Sequence, residues 1–233
     1  MGQYYRPIIL SDEGKITKHF YSHNYDNGLK LMEHSYLHNN FVNAVINTAI
    51  AMRKPVRIVW AGDYAEKEEN SEDNLYALTE NFKDLEVTDA DQTFNSSLRY
   101  LINEDKKEFV DLWDIPSFDG RTIHPLPILT SDGNGQGGGD YYGCGMNFVG
   151  TWARDHITFK EWKSWQDDVA VEQNYKNIRP DFTELWMIEE TLKRAYEILG
   201  KGINEGTFAV GDVKEIFNNL KEKSPEFITT YKK

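Results

Sequence analysis

Cysteine occurs once in the 233 residues, at Cys144. A single thiol excludes an intramolecular disulfide and any zinc site built on a cysteine pair, and it suits a reducing, cytoplasmic setting. Long apolar runs are missing too. No stretch approaches the eighteen or so residues of a membrane span, and MGQYYRPIIL has no basic head followed by an apolar segment, so neither an anchor nor a secretory leader is expected. Arg6 stands where a myristoylation signal needs Ser or Thr. Positive charge is scarce: 26 Lys and Arg face 38 Asp and Glu, a net charge of −12. Between Gly62 and Asn95 the imbalance is sharpest, with eleven carboxylates against Lys67 and Lys83. Such a surface repels phosphate, which argues against direct nucleic-acid binding and for a basic partner.

Aromatic residues are abundant at 13%. A disordered chain would be poor in them, so a folded globular protein is expected. The length suits one domain, 1–233, with 158–233 as a mainly helical part packed on it. YYRPIIL and KITKHFY around Ser11-Asp12-Glu13-Gly14 read as a hairpin whose first strand begins at Pro7 or lies at an edge. Asp26-Asn27 signals a helix start before Leu29, Met32 and Tyr36, and a second helix carries Phe41, Val45, Ala49 and Met52 after Asn39-Asn40. The compact apolar run Val56 to Trp60 suits a central strand buried on both faces. After the acidic segment EKEENSED come a short helix at NLYALTENF and a hairpin around Tyr100–Asn103 and Glu108–Trp113. In IHPLPILT the two prolines imply an edge strand or an extended run.

Further on, FVGTWARDHITF fits a strand with Trp152, Arg154 and His156 on one face and Val149, Ala153 and Ile157 on the other. Thr158 and Glu161 fit a capping box opening a helix with Phe159, Trp162, Trp165 and Val169. Asp181–Leu199 and a segment after Gly211 complete the helices. Together these elements predict an α+β fold, a mostly antiparallel sheet packed by helices, with a helical C-terminal third.

Eight of the seventeen glycines lie between Ile123 and Phe159. Asp132-Gly133-Asn134-Gly135-Gln136-Gly137 opens like a calcium loop, but Gly143 stands where the bidentate Glu belongs. Neither nucleotide signature, G-x-x-x-x-G-K-[ST] or G-x-G-x-x-G, fits. A looser anion site remains conceivable: the amides of Gly137, Gly138 and Gly139, with Asp140, Tyr141, Trp152, Arg154 and His156 around a nucleotide-like ligand. His34 and His38 have the i, i+4 spacing of metal ligands but no third partner, so no metal site is expected. His124, Asp140, Asp155 and His156 could serve acid–base chemistry, yet no nucleophile elbow or ordered triad accompanies them. No cofactor is expected. Asp63, just past the apolar strand, reads as a turn cap.

MGQYYRPIIL, YDNGLKLMEHSY, VWAGDYAE, HPLPILTSDGNGQGGGDYYG and VGTWARDHI resemble a family of uncharacterised proteins of bacteria, phages and mobile elements. The likeness implies a bacterial or phage cytosolic setting and no particular activity. Two readings follow. One is a non-catalytic binding protein that engages a bacterial protein, as an inhibitor of a host system, through Glu66, Glu68, Glu69, Glu72 and Asp73. The other is a small-molecule or hydrolytic site on the glycine-rich loop, residues 132–143. Homo-oligomerisation is compatible with both.

Overall fold

The computed structural model describes residues 3–115, 122–133 and 148–178, all within one compact unit, Met1–Thr183. The fold is α+β. Nine strands make one mixed sheet: β1 (Tyr5–Leu10), β2 (Ile16–Phe20), β3 (Val56–Gly62), β4 (Glu86–Val87), β5 (Leu98–Asn103), β6 (Glu108–Asp111), β7 (Ser131–Asp132), β8 (His156–Glu161) and β9 (Lys176–Asn177). Their order is β4-β2-β1-β3-β8-β5-β6-β9, with β7 also paired to β3. The long pairings are antiparallel, and the two-residue strands β4, β7 and β9 join in parallel.

β3 is the central strand that its apolar run predicts. Ile58 to Ala61 are fully buried, and each face has its own cover. Val59 and Ala61 pack with Ile8, Leu10 and Leu75 of helix α3 (Leu75–Leu78). On the other face Trp60 meets Phe41, at 6.4 Å between ring centroids, from helix α2 (Asn40–Ala51). The Asn39 side chain caps α2, accepting from the Phe41 and Val42 amides at 3.0 and 3.2 Å. Ahead of it, α1 spans only Leu31–His34. Asp26, read as a helix start, ends a 3-10 turn in the left-handed region.

Pro7 is neither the start of β1 nor at an edge, because β1 lies between β2 and β3. The strand tolerates it because of where its missing N–H would point. The Tyr4 carbonyl accepts the Asp63 amide just beyond β3, while the Tyr5 amide turns away to the Leu29 carbonyl, so odd positions face away from β3 toward β2. Pairing with β2 begins only at Ile8. The missing donor therefore falls at the end of the β1–β2 ladder, just outside its paired positions. Asp63 acts as the cap its position suggests, accepting the Tyr4 amide at 2.9 Å.

IHPLPILT is helical, not extended: Pro125–Leu129 form α4, buried throughout. Both prolines fall in the first turn, where the amide hydrogens have no intrahelical partner in any case. His124 takes the N-cap role, its Nδ1 accepting the Leu126 amide at 3.2 Å. The strand expected from Phe148 to Phe159 is also shorter, starting at His156. Residues before it form turns, with Gly150 at φ 73 and Arg154 at φ 68. A side chain at Gly150 would strike the Ser131 carbonyl. Thr158 and Glu161 therefore lie in β8 and open no helix. Helix α5 (Trp165–Asn174) starts later, capped by Ser164. The described part of the C-terminal third is thus partly sheet, and the helices expected over Asp181–Leu199 and after Gly211 lie outside the described residues. Among the described residues no helix is long and apolar enough to cross a membrane.

Of the three buried histidines, His19, His34 and His124, the last two are held neutral. The Trp60 indole N–H donates to His34 Nε2 at 3.0 Å, leaving the ring proton on Nδ1, which meets the Gly28 carbonyl at 3.2 Å. Burial pushes His34 down to about 4 and His124 down to about 3. Both rings are neutral when folded and gain a proton near pH 6.5 when unfolded, so their contribution is complete above that pH and is lost as pH falls toward the folded values. We expect stability to drop below pH 6.5 by about 1.4 kcal/mol per pH unit for each histidine. Urea midpoints between pH 7.5 and 5 test this; His124→Asn, which keeps a cap acceptor, should roughly halve the slope, and a flat profile would contradict it.

Candidate functional site

Of the residues assigned to an anion site, the three described ones, Trp152, Arg154 and His156, do not converge. Gly137, Gly138, Gly139, Asp140 and Tyr141 lie outside the described residues. Trp152 is fully buried, its indole N–H donating to Glu108 at 2.8 Å, and it has no face for stacking. Arg154 is already occupied. Its guanidinium bonds both oxygens of Glu68, at 2.8 and 2.6 Å, and Asp132 at 2.7 Å. These carboxylates hold the group firmly charged. His156 faces Asp105 at 3.0 Å and Asp12 at 3.5 Å. With Arg154 left-handed, the three described side chains share no strand face.

The same ion cluster divides the acidic segment. Glu68 folds inward onto Arg154, whereas Glu66, Glu69, Glu72 and Asp73 are exposed, Glu72 beside Lys67 at 2.5 Å. The acid–base candidates are dispersed as well: Asp155 pairs with Lys106 and Asn103, and His124 is the α4 cap. His34 and His38 diverge, one buried against Trp60 and the other in the left-handed region with its ring 4.0 Å from Phe94. Among the described residues no three His, Cys, Asp or Glu side chains converge on a metal position.

A different surface is built for contact. Trp113, Trp162 and Trp165 are 52%, 40% and 77% exposed, with Val169 one turn beyond Trp165 on α5 and Phe94 close by. Isolated exposed apolar residues are ordinary, but two neighbouring exposed indoles with a third three positions along the chain are not. The Trp113 and Trp162 rings lie 6.1 Å apart, and both are tied down. Trp113 donates its indole N–H to the Leu98 carbonyl at 3.0 Å, and Trp162 donates to Asp168 at 3.2 Å.

Behind the indoles runs a buried charge network. Arg99 of β5 bridges Asp111 at 2.9 Å and Asp168 at 2.8 Å. Its guanidinium also lies 5.2 Å from the Trp113 ring and 4.9 Å from the Tyr100 ring. Tyr100 donates to Asp168 at 2.6 Å, and burial together with that bond pushes its phenol above the usual range. The network joins β5, the end of β6 and the first turn of α5, where Asp168 also suits the helix dipole. It fixes the two ordered indoles in place.

No protein-family model, curated protein or solved structure matches the chain. The site is therefore argued from its own chemistry.

Phe94 completes the group from a loop held by α2. Asn43 and Asn47, one helical turn apart, donate to the Gln92 carbonyl at 3.1 Å and to the Asp91 and Thr93 carbonyls, both at 2.9 Å. Trp162, expected on a helix opened by Thr158, instead follows the end of β8, and Trp165 begins α5. Ser164-x-x-Asp167 was the better start signal, since Ser164 does accept the Asp167 amide and so places Trp165 at the exposed first helical position.

Occupation of Arg154 predicts unequal roles for neighbouring glutamates. Glu68→Gln should lower stability by about 1–2 kcal/mol by breaking a partly buried ion pair, while exposed Glu69→Gln should change it by less than about 0.5 kcal/mol. Urea denaturation distinguishes them; equal effects would mean that Glu68 does not hold Arg154 in solution.

Proposed function

We propose that this chain is a non-catalytic binding protein that engages a protein partner through the platform of Trp113, Trp162 and Trp165. The observation that carries the reading is that exposed indoles are held rigid by hydrogen bonds and a buried ion network. Tryptophan is enriched among residues that dominate binding energy, and a side chain already ordered loses little entropy when a partner docks.

Charge narrows the partner. Apart from Asp111, which is buried on Arg99, the chain carries Asp114, Glu161 and Asp167 against Lys160 and Lys163 within two residues of an indole, and the whole chain is at −12. That surface complements a basic protein segment. Indoles also stack on nucleobases, but an acidic surface disfavours the accompanying phosphates. The exposed carboxylates Glu66, Glu69, Glu72 and Asp73 would add to the same attraction at longer range. A bacterial partner and inhibition of a host system are supported by the family resemblance alone. The small-anion reading has less support, because Glu68 and Asp132 occupy the cation it needs.

The test retains bacterial lysate proteins on the tagged full chain, on Trp165→Ser, on Trp162→Ser and on Glu66→Lys/Glu69→Lys/Asp73→Lys. Trp165 is so exposed that its replacement leaves the fold intact. We expect each tryptophan substitution to cut retention of a specific partner by about tenfold or more, and the acidic-loop variant to weaken it less and in a salt-dependent way. Undiminished retention by both tryptophan variants would remove the platform from the mechanism.

A further inference from the structure

The two ordered indoles of the platform differ electrostatically. Each has already given away its N–H, Trp113 to the Leu98 carbonyl at 3.0 Å and Trp162 to the Asp168 carboxylate at 3.2 Å. Neither can donate to a ligand, and what each still offers is its ring. A ring face carries the negative side of the aromatic quadrupole, which attracts a cation. For Trp113 that attraction is already in use, because the Arg99 guanidinium lies 5.2 Å from its ring centroid. Trp162 is 40% exposed, and among the described residues no cation sits over its ring: Arg6, Arg99 and Lys107 contact other rings.

Charge behind the rings widens the difference. The network that holds them sets one guanidinium, Arg99, against two carboxylates, Asp111 and Asp168, whose side chains are each only 6% exposed. The Tyr100 phenol, pushed above its usual range, keeps its proton. One negative charge is left over, and burial keeps water from screening it fully. Trp162 bonds directly to one of these carboxylates, and a donor bound to an anion is polarised by it, which leaves the indole ring richer in electrons. Lys160, two residues before Trp162, is itself paired with Asp167 at 3.3 Å.

We infer that Trp162 is the seat of an arginine side chain of the partner, whose guanidinium stacks on the exposed indole. Trp113, 6.1 Å away and inclined at 42°, contributes apolar contact only, since its ring is already shared with Arg99. Arginine suits the seat better than lysine: its flat, delocalised cation stacks on an aromatic face and is more weakly hydrated than an ammonium. With both indole N–H groups committed, a neutral residue that needs a donor from the platform gains nothing there, whereas a cation needs only the ring. The inference rests on the platform reading and sharpens it, naming the residue type recognised and giving Trp113 and Trp162 different parts.

The probe is a short Gly/Ser peptide with spaced arginines, compared with the same peptide carrying citrulline, which keeps arginine's shape without its charge. Indole NMR titration of the full chain at fixed ionic strength reads both. We expect saturable shifts centred on the Trp162 indole, with the arginine peptide at least about tenfold tighter. Acidic charge alone would also favour arginine, so two variants separate the causes. Trp162→Leu, which keeps every charge, should bind the arginine peptide about fivefold or more weakly, and Glu66→Lys/Glu69→Lys/Asp73→Lys should lose less. Should Trp162→Leu not fold, NOEs in the parent from the arginine δ-methylene to the Trp162 ring replace it, and NOEs to the other indoles alone would count against the seat. Equal affinity for the two peptides, unchanged binding by Trp162→Leu, or absence of saturable shifts would each overturn the inference. If the arginine preference at Trp162 holds while both tryptophan-to-serine variants retain lysate partner undiminished, the cation seat stands and the platform reading fails. If retention falls but the two peptides bind alike, the platform stands and the seat fails.

Discussion

The constraint on which this structure depends is that β3 is covered on both faces and must still satisfy both of its edges. One edge is simple, since β1 runs along it from Arg57 to Gly62. The other is assembled from separate segments. β8 pairs at Val56 and Arg57, β7 pairs at Trp60 and Ala61, and between them the Arg154 amide donates to the Ile58 carbonyl at 2.9 Å. An unpaired backbone group here would be buried and costly, so the chain must bend between β7 and β8 to supply the missing donor. That bend puts Arg154 in the left-handed region, a strained place for an arginine. Its ion pairs with Glu68 and Asp132 oppose the strain and draw the acidic segment onto the sheet.

Arginine has a second structural use farther along the sheet. Arg99 joins two buried carboxylates that would otherwise repel each other, and so brings the end of β6 and the start of α5 together. The indoles of Trp113 and Trp162 are positioned as a consequence of that junction. Buried ion networks of this type are better understood as devices of arrangement than as large sources of stability. Here the arrangement produces two exposed, ordered indoles, and among the described residues Arg99, Asp111, Asp168, Arg154 and Glu68 are spent on structure.

Parts of this fold were legible in the residues because their physics is local. Two short apolar segments around a polar glycine turn defined the β1–β2 hairpin; the apolar run of Val56 to Trp60 marked a strand buried on both faces; Asn39 marked the start of α2. Errors arose where one local pattern had two solutions. Proline is excluded from ladders and welcome in a helical first turn, and Pro125 and Pro127 took the second option because His124 could cap it. Thr158 with Glu161 matched a capping box, but the register of β5 with β8 claimed those residues first. The candidate site was barely visible. Asn43 and Asn47 looked like ordinary polar positions on α2, and nothing nearby in the chain indicated that they would hold Phe94.

By itself the sequence determined the class of protein: enough aromatic and apolar residues for a packed α+β core, acidic charge that disfavours nucleic acid, and one cysteine that rules out an internal disulfide. Composition and short-range periodicity carry those properties, whatever the chain's path. Only the tertiary structure decided which charged groups were available. Arg154 and Glu68 are 86 positions apart, and Arg99 and Asp168 are 69 apart. Whether such groups meet a ligand or each other depends on strand order and on where the chain bends, and neither is encoded in the neighbourhood of any one residue.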